Sequence, residues 1–531
     1  MKVSIAMQVR LMNSTIEPLE LSNESLVEHL SKAEAYPHSV HGPVVVHETH
    51  ISWVFLAGHF AYKIKKPITT DFLDYGSLAK RHHACCEELR LDSRYAEGMY
   101  LEVVPVTFED GQIRMDGDAQ PIEFAVRMRR FENGTLLSER IDADQVSTND
   151  MIQLGTNIAN FHRHAPVSHE AEDRLLAEIH AQATANFQCL IDKAIEDLNV
   201  TVSQLQVWTE TIFTEQQGLL RRRVHEGFIR ECHGDLHCDN IVYWHDHWVP
   251  FDGIEFNPKY SWIDVLSDVS FLVMDLQYRS RHDLAACFLN AYLELSGDYE
   301  ALPLLRWYMV YRALVRAKVA LMRGKQTAGG PQQNAKHTTA ARDLLLLASQ
   351  LTKPNSRHLW ITHGVSGSGK TTGSLQLVKA HGAIRLRSDI ERKRLFRTSQ
   401  TNQPRVGFGQ GMYSATASEA TYQVLMRRSR EILQAGFSVV VDATFLKHAD
   451  RQRFQAMAQE ENASFQIVNF YADDAILRRR ITDRSLARND ASDADLSILE
   501  RQLIEQEPLT TDELRLTVKY DFLTANTNDK D

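Results

Sequence analysis

The segment GVSGSGKT at 364–371 limits the fold of this chain more than any other feature of the sequence. It carries the pattern G-x(4)-G-K-[ST], with Gly364, Gly369, Lys370 and Thr371 at the required positions. Loops of this kind follow a β-strand, open a helix and present backbone N–H groups to phosphate oxygens. The apolar run HLWITHG lies directly before it. We therefore predict a phosphate-binding loop in a strand–loop–helix unit.

Apolar strand-like runs alternate with helical patterns from residue 358 onward. The predicted strands are 358–363, 383–389, 438–445, 465–471 and, more weakly, 514–519. Strands separated by helices favour a parallel, doubly wound sheet. We predict that residues 353–531 form this domain, with the breaker TKPNSR at its start. The polar segment 324–338 could instead be the interdomain linker, although 339–351 has a helical pattern.

A second signature, HGDLHCDN at 233–240, is followed by Asp252 in FDGIEF. Its H-x-D-x(4)-N spacing is that of a kinase catalytic loop. Phosphoryl transfer requires a group that orients the incoming hydroxyl and oxygen ligands for a divalent ion. Asp235 is the candidate base, and Asn240 and Asp252 are the candidate metal ligands.

The pattern before and around this signature predicts two lobes within residues 1–352. Strands at 44–65, 101–107 and 122–130, with a helix at 77–95, predict a small sheet-bearing lobe at about 40–130. The pattern from 131 to 352 is mostly helical. The segment AYKIKKP offers Lys63, Lys65 and Lys66 for the ATP phosphates, and we favour Lys63. Its acidic partner is expected at Glu87 or Glu88, and Glu87 is taken as the site residue.

HGDLHCDN, Asp252 and the lysine strand resemble the aminoglycoside phosphotransferase and choline-kinase-like family over about residues 40–350. The resemblance implies a two-lobed protein-kinase-like fold that transfers the γ-phosphate of ATP to a small-molecule hydroxyl with magnesium. It also implies Asp235 as the base, Asn240 and Asp252 as metal ligands, and Lys63 as the nucleotide lysine. One departure is that no glycine-rich loop precedes the lysine strand.

The carboxy-terminal segments supply further candidates around the phosphate loop. Lys370 would contact the β and γ phosphates, and Thr371 would bind magnesium together with Asp442 of VVVDATF. Asp389 of RLRSDIERKRLF would be a general base at the carboxyl edge of the second strand, with Arg392 holding an anionic group. The arginines at 478–488 indicate a lid. The remaining predicted nucleotide-binding residues are Ser366, Gly367, Ser368, Thr372, Arg480 and Arg484.

GVSGSGKTT, the Ser-Asp-x-x-Arg pattern at 388–392 and DATF at 442–445 are similar to small P-loop kinases of the polynucleotide-kinase, zeta-toxin and gluconate-kinase group. In that group the aspartate of the second strand is the base and the lid supplies arginines. Acceptors there range over nucleic-acid ends, nucleotide sugars and small sugars. The resemblance therefore implies a second phosphotransferase centre without naming its acceptor.

Composition narrows the function classes. The 531 residues are 43% hydrophobic and 24% charged, as in an ordinary globular protein, and the net charge of −10 argues against an extended nucleic-acid surface. Basic residues at 385–397 and 478–488 still allow a nucleic-acid end as substrate. No apolar run has the length of a membrane span, and the first residues lack a secretory leader, so we predict no membrane partner. The six cysteines, with Cys85 and Cys86 adjacent, do not suggest a disulfide framework and predict a reduced, cytoplasmic protein.

Taken together, the motifs predict a tandem ATP- and Mg²⁺-dependent phosphotransferase with small-molecule hydroxyl acceptors. The alternatives are a kinase that acts on nucleic-acid 5′ ends and an ATP-binding regulator in which one domain is idle.

Overall fold

A computed structural model describes residues 22–70, 73–192, 198–326, 330–397, 415–487 and 496–519. The chain forms two compact units, Met1–Phe131 and Glu132–Asp531. Among the described residues, we find no helix with both the length and the apolar character that a membrane span requires.

The first unit is built around a six-stranded antiparallel sheet with the strand order β1-β2-β3-β8-β6-β7. Its helices and strands are α1 Asn23–Leu30, β1 Val45–Glu48, β2 Ser52–Ala57, β3 Phe60–Lys65, β4 Thr69–Thr70, β5 Leu73–Asp74, α2 Leu78–Asp92, β6 Tyr100–Glu109, β7 Gln112–Met115 and β8 Pro121–Arg129. The predicted hairpin is β2–β3, which turns at Gly58 with φ +61°. Strand β7 and helix α1 were not predicted.

Helix α2 belongs to the same unit as this sheet and buries one of its faces. Ser77 begins the helix by accepting a hydrogen bond from the Lys80 N–H. Ala84, Cys85 and Leu91 are buried at spacings that lie on one helical face. Glu88 lies on this face as well and is fully buried, so the sheet-facing side of α2 includes a carboxylate.

The second unit begins with a mostly helical part that contains the HGDLHCDN loop. Its elements are α3 Leu137–Asp142, α4 Thr148–His164, α5 Glu172–Asp192, α6 Asn199–His225, β9 Ile229–Glu231, β10 Ile241–Trp244, β11 His247–Pro250, α7 Pro258–Ser261, β12 Trp262–Asp264, α8 Val265–Tyr278, α9 His282–Ser296, α10 Leu302–Gln326 and α11 Gly330–Leu351. The loop joins β9 to β10, and the FDGIEF segment follows β11.

The linker interpretation of 324–338 is wrong for 330–338, which form the first turns of α11. Gly330-Pro331 is tolerated there because a proline at the start of a helix lacks only an N–H that has no helical partner. Residues 327–329 lie outside the described part of the chain.

The second unit continues into a five-stranded parallel sheet with the order β14-β15-β13-β16-β17. Its elements are β13 His358–His363, α12 Lys370–His381, β14 Ile384–Arg387, α13 Ser388–Arg397, α14 Ala415–Gln434, β15 Val439–Asp442, α15 His448–Glu460, β16 Ser464–Asn469, α16 Asp474–Ala487, α17 Leu496–Glu505, α18 Thr511–Arg515 and β17 Thr517–Lys519. The predicted parallel α/β fold is confirmed.

One cluster of buried apolar side chains extends through both parts of the second unit. It includes Leu266 of α8, Phe288 of α9, Ile361 of β13, Ile384 of β14 and Val439 of β15. The helical part and the parallel sheet therefore share a packed core rather than being joined only by a linker. The domain boundary at 352/353 stays a prediction.

Candidate active sites

The phosphate loop follows β13 and depends on backbone positions that exclude side chains. Gly364 has φ +145°, and a Cβ placed on it would lie 2.5 Å from the Phe470 carbonyl oxygen and 2.8 Å from Ser368 Oγ. Gly369, which precedes α12, has φ +101°. Both conformations are rare for L-residues with a side chain. The glycines of the motif are therefore required by the path of the loop.

Polar groups of the loop are arranged as expected for phosphate binding. Ser368 Oγ is buried and, among the described residues, has no hydrogen-bond partner. Lys370 is 9% exposed, and its Nζ donates to the Val365 carbonyl at 2.7 Å. Arg480 Nη1 of α16 donates to the Gly367 carbonyl at 3.1 Å. An orphaned buried hydroxyl and two cations around a glycine cradle fit a phosphate chain.

Asp442 supplies the acidic group beside the loop. It ends β15, is 7% exposed and accepts a hydrogen bond from Ser374 Oγ of α12 at 3.0 Å. Thr371 lines the same cleft. Hydroxyl and carboxylate oxygens are suitable Mg²⁺ ligands, so these two residues could hold the ion.

A cleft of about 400 Å³ brings most of the predicted carboxy-terminal residues together. The predicted residues in its lining are Ser366, Gly367, Gly369, Lys370, Thr371, Thr372, Asp389, Arg392 and Asp442. Asp389 lies in the first turn of α13, directly after β14, and its Oδ1 is 3.9 Å from Arg392 Nη1. Gly364, Ser368 and Arg480 are outside the lining, and the side chain of Arg484 lies outside the described residues.

Among the lining residues that were not predicted, three polar ones lie close to the loop or to the ends of the strands. Gln502 of α17 accepts a hydrogen bond from the Ser366 N–H at 2.7 Å, the type of donor that a phosphate oxygen would use. Tyr422 of α14 accepts from the Phe445 N–H at 3.0 Å, just after β15. Arg387, the last residue of β14, also lines the cleft. Gln502 and Tyr422 are on helices without a recognisable motif. Arg387 could have been found, because it lies two residues before Asp389 in the segment RLRSD.

The HGDLHCDN loop is held by a buried carboxylate that sequence reasoning missed. Asp268 of α8 accepts hydrogen bonds from the N–H groups of His233 at 3.1 Å and Gly234 at 2.9 Å. Its Oδ2 is also 3.2 Å from His162 Nε2. Burial alone raises the pKa of Asp268, but the hydrogen bond and charge of His162 and the charges of His233 and Arg312 hold it below its ordinary value. The available signal was an aspartate within the apolar helix VLSDVSFLVM.

The side chains of Asp235 and Asn240 are adjacent. Asn240 Nδ2 donates to Asp235 Oδ2 at 2.9 Å, and His237 Nε2 is 3.3 Å from the same oxygen. Burial raises the pKa of Asp235, yet His237, His233 and Arg316 more than offset it and lower the pKa below its usual range. The side chain remains 36% exposed. Asp235 is therefore an ionised, reachable carboxylate.

Asp252 lies in a segment fastened to the HGDLHCDN loop. The Phe251 N–H donates to the Asn240 carbonyl at 3.0 Å, and the Ile254 N–H donates to the His233 carbonyl at 2.9 Å. Asp252 has φ +60°, a left-handed conformation that costs a non-glycine residue free energy. Two backbone hydrogen bonds that flank this position stabilise the turn.

The acidic partner chosen for Lys63 is wrong. Glu88 Oε1 lies 2.7 Å from Lys63 Nζ, and Glu88 Oε2 lies 2.5 Å from Lys65 Nζ. Glu87 is instead turned toward Arg90, whose Nη2 is 2.8 Å away. The helical period explains the difference, because Glu88 falls on the buried face of α2 with Ala84, Cys85 and Leu91.

Parts of this chain are similar to known proteins. Residues 359–509 match the family model described as an AAA domain. The uncharacterized protein Rv2004c of Mycobacterium tuberculosis is 29% identical over 464 residues, which cover 86% of this chain and 90% of that protein. A choline/ethanolamine kinase family protein from Mesorhizobium loti is 14% identical, with a TM-score of 0.36, over 62% of this chain and 98% of its own. A putative kinase from Chloroflexus aurantiacus is 22% identical, with a TM-score of 0.25, over 32% of this chain and 90% of its own.

Proposed function

We propose that this chain is an ATP- and Mg²⁺-dependent phosphotransferase with two catalytic centres. The observation that carries the proposal is the cleft beside the phosphate loop. Its lining includes Lys370, Thr371 and Asp442, which suit a metal–nucleotide, together with Asp389 and Arg392, which suit an acceptor. A nucleotide site and an acceptor site in one cleft are what direct phosphoryl transfer requires.

At the carboxy-terminal centre, MgATP would supply the γ-phosphoryl group, and the metal would partly neutralise its charge. Thr371 and Asp442 would hold the metal, and Lys370 would stabilise the negative charge of the phosphates. Asp389 accepts the proton of the acceptor hydroxyl as that oxygen attacks the γ-phosphorus, and the bond from this phosphorus to the oxygen bridging the β-phosphate breaks, which releases ADP. Arg392 binds an anionic part of the acceptor, which orients the hydroxyl toward the transferred group.

At the amino-terminal centre, Asp235 accepts the acceptor proton. Its pKa lies below the ordinary value, so the carboxylate is ionised and accepts a hydrogen bond that orients the acceptor hydroxyl. Asn240 and Asp252 would provide oxygens for the metal ion. The nucleotide-binding role of Lys63, which is held by Glu88 in the first unit, remains a prediction.

The acceptors are proposed to be small molecules with a hydroxyl group. The carboxy-terminal cleft combines Arg387, Arg392 and Arg501 with Glu419 and Glu505. A lining of mixed charge suits a compact polar acceptor better than a long polyanion, which prefers a continuous basic surface. A nucleic-acid 5′ end is the alternative that the arginines favour. It would be recognised by binding of short oligonucleotides that weakens steeply as salt increases.

The test is ADP release from the full chain, Asp235→Asn and Lys370→Ala, with pools of sugars, amino alcohols, aminoglycosides, nucleosides and oligonucleotides. We expect at least one pool whose stimulation disappears in one variant and persists in the other, which assigns that acceptor to one centre. If ATP binds but neither variant changes the rate with any pool, the proposal is wrong and the chain is an ATP-binding regulator.

A further inference from the structure

Strand β14, which leads to Asp389, is an edge strand of the parallel sheet and is covered by helix α9. Asn290 of α9 accepts a hydrogen bond from the Arg385 N–H at 2.6 Å and donates one to the Ala383 carbonyl at 3.0 Å. Asn290 is 3% exposed. An edge strand has no neighbouring strand on one side. The Asn290 amide bonds two of the backbone groups that such a neighbour would have bonded.

A carboxylate on the same helix holds two arginines of this strand. Glu294 Oε1 accepts hydrogen bonds from Arg385, whose Nε and Nη2 each lie 2.8 Å away. Glu294 Oε2 lies 3.7 Å from Arg387 Nη1. Arg385 is 7% exposed, so its guanidinium requires this partner. Arg387 lines the cleft beside the phosphate loop. A residue of this cleft therefore lies next to Glu294, a side chain of the helical part.

The segment after Asp389 is attached to the carboxyl end of the same helix. Arg394 Nη2 of α13 donates to the Glu294 carbonyl at 2.6 Å. Gly297 ends α9 with φ +78°, and a Cβ there would lie 2.9 Å from Arg394 Nε. Glycine therefore leaves room for a guanidinium at the negative end of the helix dipole. Residues on both sides of Asp389 in the sequence, Arg387 before it and Arg394 after it, therefore contact α9.

Helix α9 is itself tied to the structure around the HGDLHCDN loop. The Tyr292 hydroxyl is 3.1 Å from His162 Nδ1, and His162 Nε2 is 3.2 Å from Asp268. Asp268 binds the backbone of His233 and Gly234. Helix α9, which packs on β14, is therefore also anchored through Tyr292 in a buried hydrogen-bond network.

We propose that Glu294 is a positioning residue of the carboxy-terminal phosphotransferase centre. By fixing Arg385 and Arg387 it sets the end of β14, and through β14 the place of Asp389 in the cleft. The centre is therefore completed by the helical part of the chain rather than by residues 353–531 alone. This inference rests on the proposed function of that centre.

The test compares charge variants of α9 in the full chain carrying Asp235→Asn, so that only the carboxy-terminal centre turns over. The reaction is ADP release with ATP and water as the acceptor. For Glu294→Gln we expect kcat to fall about tenfold or more while KM for ATP changes less than about twofold, since the substituted residue lies outside the phosphate loop and the contact of Arg385 with it, to the Thr371 carbonyl, is long at 3.5 Å. Hydrogen exchange of the segment 384–397 should become faster.

Two further variants separate positioning from a general loss of structure. Glu294→Asp keeps the charge on a shorter side chain and should recover part of kcat; it also serves as the test if Glu294→Gln folds poorly. Asp283→Asn is the matched control, because this carboxylate of α9 pairs with Arg281 and does not contact β14. Its kcat should stay within about twofold of the parent.

An unchanged kcat in Glu294→Gln, or an equal loss in Asp283→Asn, overturns the inference. Adding Lys370→Ala to the same parent distinguishes a deeper failure. If that variant still releases ADP at the parental rate, the proposed function of the centre is wrong, and the inference is overturned with it.

Discussion

The two candidate centres hold their chemical groups by different means. In the phosphate loop, the shape comes from backbone conformations that only glycine adopts easily, as at Gly364 and Gly369. In the HGDLHCDN loop, the shape comes from side chains distant in sequence, above all Asp268 and His162. The first arrangement is local, and the second depends on the packing of helices α4 and α8. This difference predicts how each centre responds to substitution.

The largest expected effect is at the phosphate loop. Lys370→Ala removes the cation that would stabilise charge on the transferred group, so acceptor-stimulated ADP release assigned to this centre should fall about 100-fold or more. Lys379→Ala is the matched control because Lys379 is on the same helix, α12. Steady-state kinetics of both variants should show a loss only in Lys370→Ala. Equal rates would remove the phosphate loop from catalysis.

Gly364→Ala tests whether this centre is governed by backbone shape. The new methyl group would meet the Phe470 carbonyl at 2.5 Å, so the loop must move, and we expect ATP affinity to fall at least about tenfold. Gly382→Ala is the comparison, since Gly382 has φ +62° but nothing within 4 Å of its Cβ position. That control should cost about 1 kcal/mol of folding free energy and leave ATP affinity unchanged. Calorimetric titration with ATP measures the difference.

Asp268→Asn tests whether the other centre depends on distant side chains. The neutral amide cannot replace a carboxylate that accepts from two backbone N–H groups and His162, so the loop should lose its fixed position. We expect kcat at the amino-terminal centre to fall about tenfold. Turnover that Lys370→Ala abolishes is the internal control and should fall by less, since Asp268 is linked to α9 indirectly, through His162 and Tyr292. A comparable loss at both centres would contradict the proposed separation of their supports.

The smallest expected effect is on stability in acid. Burial raises the pKa of Glu513, but hydrogen bonds from Arg451, the Thr510 N–H and His448 lower it to about 2, from an ordinary 4.5. Because the folded pKa is the lower one, this carboxylate stabilises the fold above about pH 4.5, and the contribution is lost as pH falls toward 2.

Glu513→Gln should therefore reduce the free energy of unfolding by about 2 kcal/mol at pH 7 and by less near pH 3. Asp512→Asn is the control, since Asp512 is 89% exposed and should change stability by less than about 0.5 kcal/mol. Urea unfolding at both pH values measures this. A loss in Glu513→Gln that does not shrink with acidification would contradict the assignment of the pKa.

How much of each centre the sequence could predict depends on the same contrast between local backbone shape and contacts with distant side chains. Most motif residues of the phosphate loop, together with Asp389, Arg392 and Asp442, line one cleft because each lies at or shortly after the carboxyl end of a strand of a parallel sheet. Gln502 and Tyr422 were missed because their helices carry no motif. The choice of Glu87 over Glu88 was wrong because adjacent glutamates differ only in which helical face is buried.

The sequence by itself determined the local geometry of each motif: the glycine positions of the phosphate loop, the Asp235–Asn240 pair and the alternation that produces a parallel sheet. These depend on residues close together in the chain, whose steric and hydrogen-bonding limits are readable from their types. Only the tertiary structure decided that Asp268 holds the HGDLHCDN loop and that α9 covers β14. Such contacts join residues far apart in sequence, and they form because packing of the shared core brings buried polar groups within hydrogen-bonding distance.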